Sequence, residues 1–102
     1  GEPSDERKPA QVPNGLTILA TGTGFQVKAD ITNAVKGWWY SLYTSTSLAP
    51  DSFDVATPGA GTDVVTAYAE ADGALSLSLT VPSGAPQAFY KIVVTSDAPV
   101  AP

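Results

Sequence analysis

Residues 75–81, LSLSLTV, alternate strictly between apolar and hydroxyl side chains. Leu75, Leu77, Leu79 and Val81 share one face and Ser76, Ser78 and Thr80 the other, which predicts an antiparallel strand with one face on a core and one in water. Residues 25–31, FQVKADI, repeat the pattern, with Phe25, Val27, Ala29 and Ile31 inward and Gln26, Lys28 and Asp30 outward. The same reading predicts strands at 16–19, 38–45, 64–70 and 89–96, and a weaker one at 52–56. No segment keeps a helical period for more than a turn or two.

The punctuation between these runs is that of a β protein. Asp72-Gly73, inside EADGA at 70–74, lies between two strand patterns and predicts a hairpin, because Gly tolerates the positive φ such turns demand. NAVKG at 33–37 and PSGAP at 82–86 are further connections. Six to seven short strands at this spacing predict an all-β, antiparallel β-sandwich, with a small barrel as the alternative. The polar, Pro-punctuated residues 1–14 are predicted to be a linker, 15–97 a single domain, and 98–102 a tail.

Composition narrows the function. A chain of 102 residues can bury roughly 60 to 70% of its unfolded surface, so it is expected to fold without a metal or disulfide staple. Its net charge is −5 with no run of Lys or Arg, which argues against nucleic acid as a partner and against an anionic membrane surface. Without His or Cys it cannot build a Ser-His-Asp triad, a Cys nucleophile or a zinc site of the usual ligands. No cofactor is expected. No apolar run has the length of a membrane span, no signal peptide is visible, and the sequence opens on Gly1, so it reads as a processed piece of something larger.

The aromatic stretch WWYSLY, residues 38–43, is the main candidate for a site. On a strand, Trp38, Tyr40 and Leu42 share the core face, and Trp38 is expected to fill the core. Trp39, Ser41, Tyr43 and Ser45 share the other face, whose alternation with Ser marks it as solvent-facing. Trp39 and Tyr43 then stand about 13 Å apart along the strand. In 89–96, Phe89, Lys91, Val93 and Thr95 form the outer set and Tyr90, Ile92 and Val94 the inner one. Asp51, Asp54 and Asp63 carry the hard oxygen donors calcium prefers, but their spacing matches no dedicated calcium loop, so no metal site is predicted. Asp30, Glu70 and Asp72 fall at outward or turn positions with no evident cleft, which argues against paired-carboxylate hydrolysis.

The order of about seven strands resembles an immunoglobulin or fibronectin type III sandwich. WWYSLYTSTSL (38–48) and FYKIVV (89–94) also resemble the small β modules at the C-terminal ends of large secreted bacterial proteins. The likeness spans roughly residues 16–96. It implies a non-catalytic accessory module, extracellular or on the cell surface, that neighbours other modules and serves as a spacer, an adhesion unit or a carbohydrate binder. In the type III strand order LSLSLTV lies beside the 38–45 strand, so Ser76, Ser78 and Thr80 would flank the two rings. Ring faces stack on the C–H face of a sugar and hydroxyls take its hydrogen bonds. The predicted polysaccharide or glycan site is therefore Trp39, Tyr43, Ser41, Ser76 and Ser78. The alternative is a spacer, anchoring or adhesion domain without a small ligand, its rings covered by a linker or a neighbouring module.

Overall fold

The computed structural model describes residues 10–13 and 15–99. The expected linker 1–14 and tail 98–102 fall largely outside them. The described chain is all-β and antiparallel. Its strands are β1 (Leu16–Thr21), β2 (Gly24–Ala34), β3 (Trp39–Ser45), β4 (Asp54–Val55), β5 (Thr66–Tyr68), β6 (Gly73–Pro82) and β7 (Phe89–Thr95), with a 3-10 turn at Pro50–Ser52.

The strands form two sheets. One has the order β1-β2-β6. In the other, β7 lines β3 along its whole length, from Ser45↔Phe89 to Trp39↔Thr95, so β4 and β5 share the opposite edge of β3, at residues 43–44 and 39–41. The inward sets predicted from alternation meet in one cluster: Val27, Ala29 and Ile31 from β2, Leu77, Leu79 and Val81 from β6, Tyr40 and Leu42 from β3, and Ile92 from β7. Each of these strands has one apolar face, and burying those faces against each other removes both from water.

The connections correct the sequence reading. Asp72-Gly73 does not close a hairpin, because β5 pairs with β3 in one sheet and β6 with β2 in the other. Gly73 does take a positive φ of 134°, so the turn signal was sound while the strand pairing was not. NAVKG and PSGAP likewise carry the chain from one sheet to the other. A tight hairpin lies elsewhere, at Thr21-Gly22-Thr23-Gly24, where Thr21 pairs with Gly24. Gly24 is fixed by close approach: a Cβ there would run into the carbonyl oxygen of Val81.

A second correction concerns β6. It lies beside β2, with Ser76 opposite Asp30 and Ser78 opposite Lys28, not beside β3. Alternation states which face of a strand is apolar but says nothing of which strand is its neighbour. A third concerns Trp38. It packs on the rim of the core, only partly buried, while Tyr40 and Leu42 fill the centre at 0% exposure. The Tyr40 hydroxyl accepts a hydrogen bond from the Val35 N–H at 2.9 Å, which satisfies the polar end of a buried ring.

The two sheets are stitched together along one side. Val64 and Ser78 of β6 exchange backbone hydrogen bonds of 3.1 and 2.8 Å, while the next carbonyl, Val65, accepts from Leu42 of β3 at 2.8 Å. Residues 64–65 thus bond to both sheets.

Candidate functional site

The outer face of the sheet centred on β3 carries the aromatic residues. β3 turns Trp39, Ser41, Tyr43 and Ser45 outward, because Tyr40 and Leu42, their neighbours in sequence, are drawn into the core. The register of β5 sets Tyr68 opposite Trp39, and the two rings meet at 5.1 Å between centroids, tilted by 55°. Such a pair contributes about 0.5 to 1.5 kcal/mol beyond its burial. Tyr68 remains 43% exposed and Trp39 and Tyr43 are half-buried, so the face presents three rings at the surface.

Lower on the same face β7 brings Lys91 opposite Tyr43, and its ammonium lies 4.4 Å from the centroid of the Phe53 ring. That cation–π contact holds a positive charge beside Tyr43. At the end of β3, Ser45 and Ser52 share a hydroxyl–hydroxyl hydrogen bond of 2.5 Å, and the Ser47 N–H donates to Ser45 Oγ at 2.9 Å. These bonds tie the 47–52 loop down beside the aromatic face.

Trp39 and Tyr43 are the predicted site residues that the structure brings together. Ser41 lies between them in sequence but is buried, and its hydroxyl accepts from Thr66 Oγ1 at 3.2 Å. Ser76 and Ser78 belong to the other sheet and do not join this face. Ser76 Oγ instead donates to Asp30 Oδ1 at 3.3 Å across the β2–β6 pair. The hydroxyls that do flank the rings are Thr66 on β5 and Thr95 on β7, opposite Ser41 and Trp39. Tyr68 and Phe53 were not among the predicted site residues. Tyr68 sits in the predicted 64–70 strand, and its neighbour across the sheet follows only from the β3–β5 pairing.

The acidic residues resolve differently. Asp63 Oδ2 accepts hydrogen bonds from the N–H groups of Gly59, Ala60 and Thr80 at 2.8, 3.0 and 2.9 Å, and its Oδ1 accepts from Thr80 Oγ1 at 2.8 Å. Both oxygens are committed to fastening the 59–63 turn onto β6. Partial burial pushes the Asp63 carboxyl up, but the bonds from Thr80, Gly59 and Ala60 outweigh it and hold the group below the usual carboxylate range. Asp51 and Asp54 are exposed, and among the described residues no three His, Cys, Asp or Glu gather as a metal site would require. Asp72 Oδ1 accepts from the Lys36 N–H at 2.8 Å, tying together two of the crossings between sheets.

No described helix is long and apolar enough to cross a membrane. No family model, curated protein or solved structure matches this chain.

Proposed function

We propose that the chain is an immunoglobulin- or fibronectin III-like β-sandwich serving as a non-catalytic accessory module of an extracellular multimodular protein, and that it binds a polysaccharide or glycan on the outer face of the β3 sheet. The observation that carries this reading is the cluster of Trp39, Tyr43 and Tyr68 at one surface, two of its rings braced against each other. A surface tryptophan in contact with a tyrosine is held in place before a ligand arrives, which lowers the ordering cost of stacking on a sugar ring. Thr66 and Thr95 supply hydroxyls alongside, and Lys91 stands ready for a sugar carboxylate or sulfate at one end.

The test is affinity electrophoresis of the 102-residue chain through gels containing soluble polysaccharides, neutral and acidic, together with a glycan array. Retardation that disappears in Trp39→Ala and in Tyr68→Ala, with melting largely unchanged, supports the reading. If no glycan is retained, the aromatic face is structural and the alternative stands: a spacer, anchoring or adhesion domain.

A further inference from the structure

The outer face of the β3 sheet has two unlike ends. At one, Trp39 is braced by Tyr68 on β5 and has Thr95 of β7 on its other side. At the other, Tyr43 stands opposite Lys91, whose ammonium lies 4.4 Å from the centroid of the Phe53 ring. The four-residue step from Trp39 to Tyr43 is about 13 Å along an extended strand. Between the ends the side chains are short: buried Ser41, with Thr66 opposite it on β5 and Val93 on β7. The span exceeds one pyranose ring, so a polysaccharide lying along β3 meets the two ends with different sugars.

Among the described residues Lys91 is the one cation on this face. Lys28 lies in the other sheet, opposite Ser78, and Lys36 precedes β3 in the 33–37 connection. Acidic residues outnumber basic ones ten to five in the chain, yet among the described residues no carboxylate pairs with the Lys91 ammonium. Asp51 is exposed on the Pro50–Ser52 turn. Asp54 follows Phe53 directly, but its place opposite Thr44 turns it from the face that Phe53 and Val55 share. Glu70 and Asp97 come after Tyr68 and Thr95, at the Trp39 end. Thr95 is itself about 13 Å from Lys91 along β7, farther than the Debye length of about 8 Å at physiological salt.

The contact with Phe53 orders the lysine without neutralising it. An aromatic ring attracts a cation but carries no net charge, so the ammonium keeps its charge and its N–H donors for a further partner. Held on a ring, the side chain also gives up less freedom on binding than a fully solvated lysine. An anionic oxygen that reaches it forms a charge-assisted hydrogen bond.

We infer that Lys91 sets the ligand class of the aromatic face. It takes the carboxylate or sulfate of one sugar while another sugar of the same chain stacks on Trp39, so the face selects an acidic polysaccharide over its neutral counterpart. This assignment rests on the glycan reading of the same face and adds the residue that chooses among glycans.

Titration calorimetry of the 102-residue chain against matched polymers tests it. One pair is polygalacturonate and its carboxyl-reduced, neutral form; the other is dextran sulfate and dextran. At low salt at least one acidic member should bind about tenfold or more tighter than its neutral counterpart, the size of a single hydrogen bond to a charged group. The pair that shows the preference tells whether a carboxylate or a sulfate is read. The preference should shrink at about 1 M salt, where the Debye length is about 3 Å. Lys91→Gln should bring the affinity ratio to about one, and Lys91→Arg, which can stack on Phe53 and bond an anion, should keep it. Lys28→Gln removes the same charge from the other sheet and should leave the ratio as in the wild type. Thermal melts check that each variant is folded.

Equal affinity for acidic and neutral members overturns the inference and leaves the glycan reading standing. A preference that survives Lys91→Gln overturns it too, because the anion is then held elsewhere, and so does a preference lost equally in Lys28→Gln, because net charge is then the cause. A Tm lowered in Lys91→Gln with the ratio unmoved makes Lys91 a packing residue for Phe53 and nothing more. No binding to any of the four polymers, nor to any member of a glycan array, overturns the glycan reading and this inference with it. Trp39→Ala keeps the two apart: it should weaken acidic and neutral members alike, whereas Lys91→Gln acts on their ratio.

Discussion

Asp63 offers the most direct test of what holds this fold together. Replacing it with Ala removes four hydrogen bonds to one carboxylate, three of them from backbone N–H groups. Bonds to a charged group are worth about 1.5 to 3 kcal/mol each when their loss strands a buried partner. The Gly59 N–H is exposed and water replaces the acceptor there, while the two Thr80 donors are part-buried and lose more. The cost of Asp63→Ala is therefore about 3 kcal/mol, a large fraction of a small domain's stability. At about 4 to 8 °C per kcal/mol this lowers Tm by more than about 12 °C. Asp63→Asn should cost less, about 1 kcal/mol, because its amide oxygen can still accept the N–H groups while its NH2 turns to Thr80 Oγ1.

The two variants also differ from the wild type in acid. The folded carboxyl titrates below its unfolded value of 3.8, so near and below that pH the unfolded chain binds more protons. The stabilisation is present above pH 3.8 and disappears as pH falls through the lower folded pKa. Thermal melts from pH 7 down to 2 should show a steeper acid loss in the wild type than in Asp63→Asn. An Asp63→Ala change within about 0.5 kcal/mol of wild type, or identical acid slopes in wild type and Asp63→Asn, would refute the clasp.

Further outcomes follow from the packing. Tyr40→Ala, which empties the centre of the core, should cost about 3 to 5 kcal/mol in denaturant melts, and Tyr40→Phe about 1 kcal/mol for the orphaned Val35 N–H; Trp39→Ala should cost no more than about 1.5 kcal/mol. Gly24→Ala should destabilise by about 2 to 3 kcal/mol, because its Cβ meets the Val81 carbonyl, while Gly22→Ala, with open space around it, should leave Tm unchanged. Chelator and reductant should leave Tm unchanged in a chain without His or Cys; a fall of several degrees with chelator would put Asp51 and Asp54 back in play as ligands.

How far the sequence could be read depended on the range of the signal. The two long strands β2 and β6 were legible because alternation is local: each residue's face follows from its neighbours in the chain, and Val27, Ala29, Ile31, Leu77, Leu79 and Val81 are all buried as that rule requires. The same rule separated Trp39 and Tyr43 from Tyr40 and Leu42. What it could not supply was the partner of each strand. The Asp72-Gly73 turn shows why: its backbone chemistry is that of a hairpin, but β5 and β6 each bury an apolar face against the same core, and a turn that crosses between sheets satisfies that demand as well as one that stays within a sheet. Nothing within a few residues of Gly73 distinguishes the two.

That limit decided which site residues survived. Trp39 and Tyr43 sit on one strand, so their common face needed no knowledge of topology. Ser76 and Ser78 reached the predicted site only through an assumed neighbour, and moved to the other sheet when β6 paired with β2. Tyr68 entered by the reverse route, through a β3–β5 register that no pattern in 64–70 announces. In the sequence, FYKIVV reads as a strand with an inner and an outer set, and both sets are where alternation puts them. The aromatic face therefore combines two ranges of signal: the common side of Trp39 and Tyr43 on β3, which alternation along one strand states, and Tyr68, which only the pairing of β3 with β5 sets against the Trp39 ring.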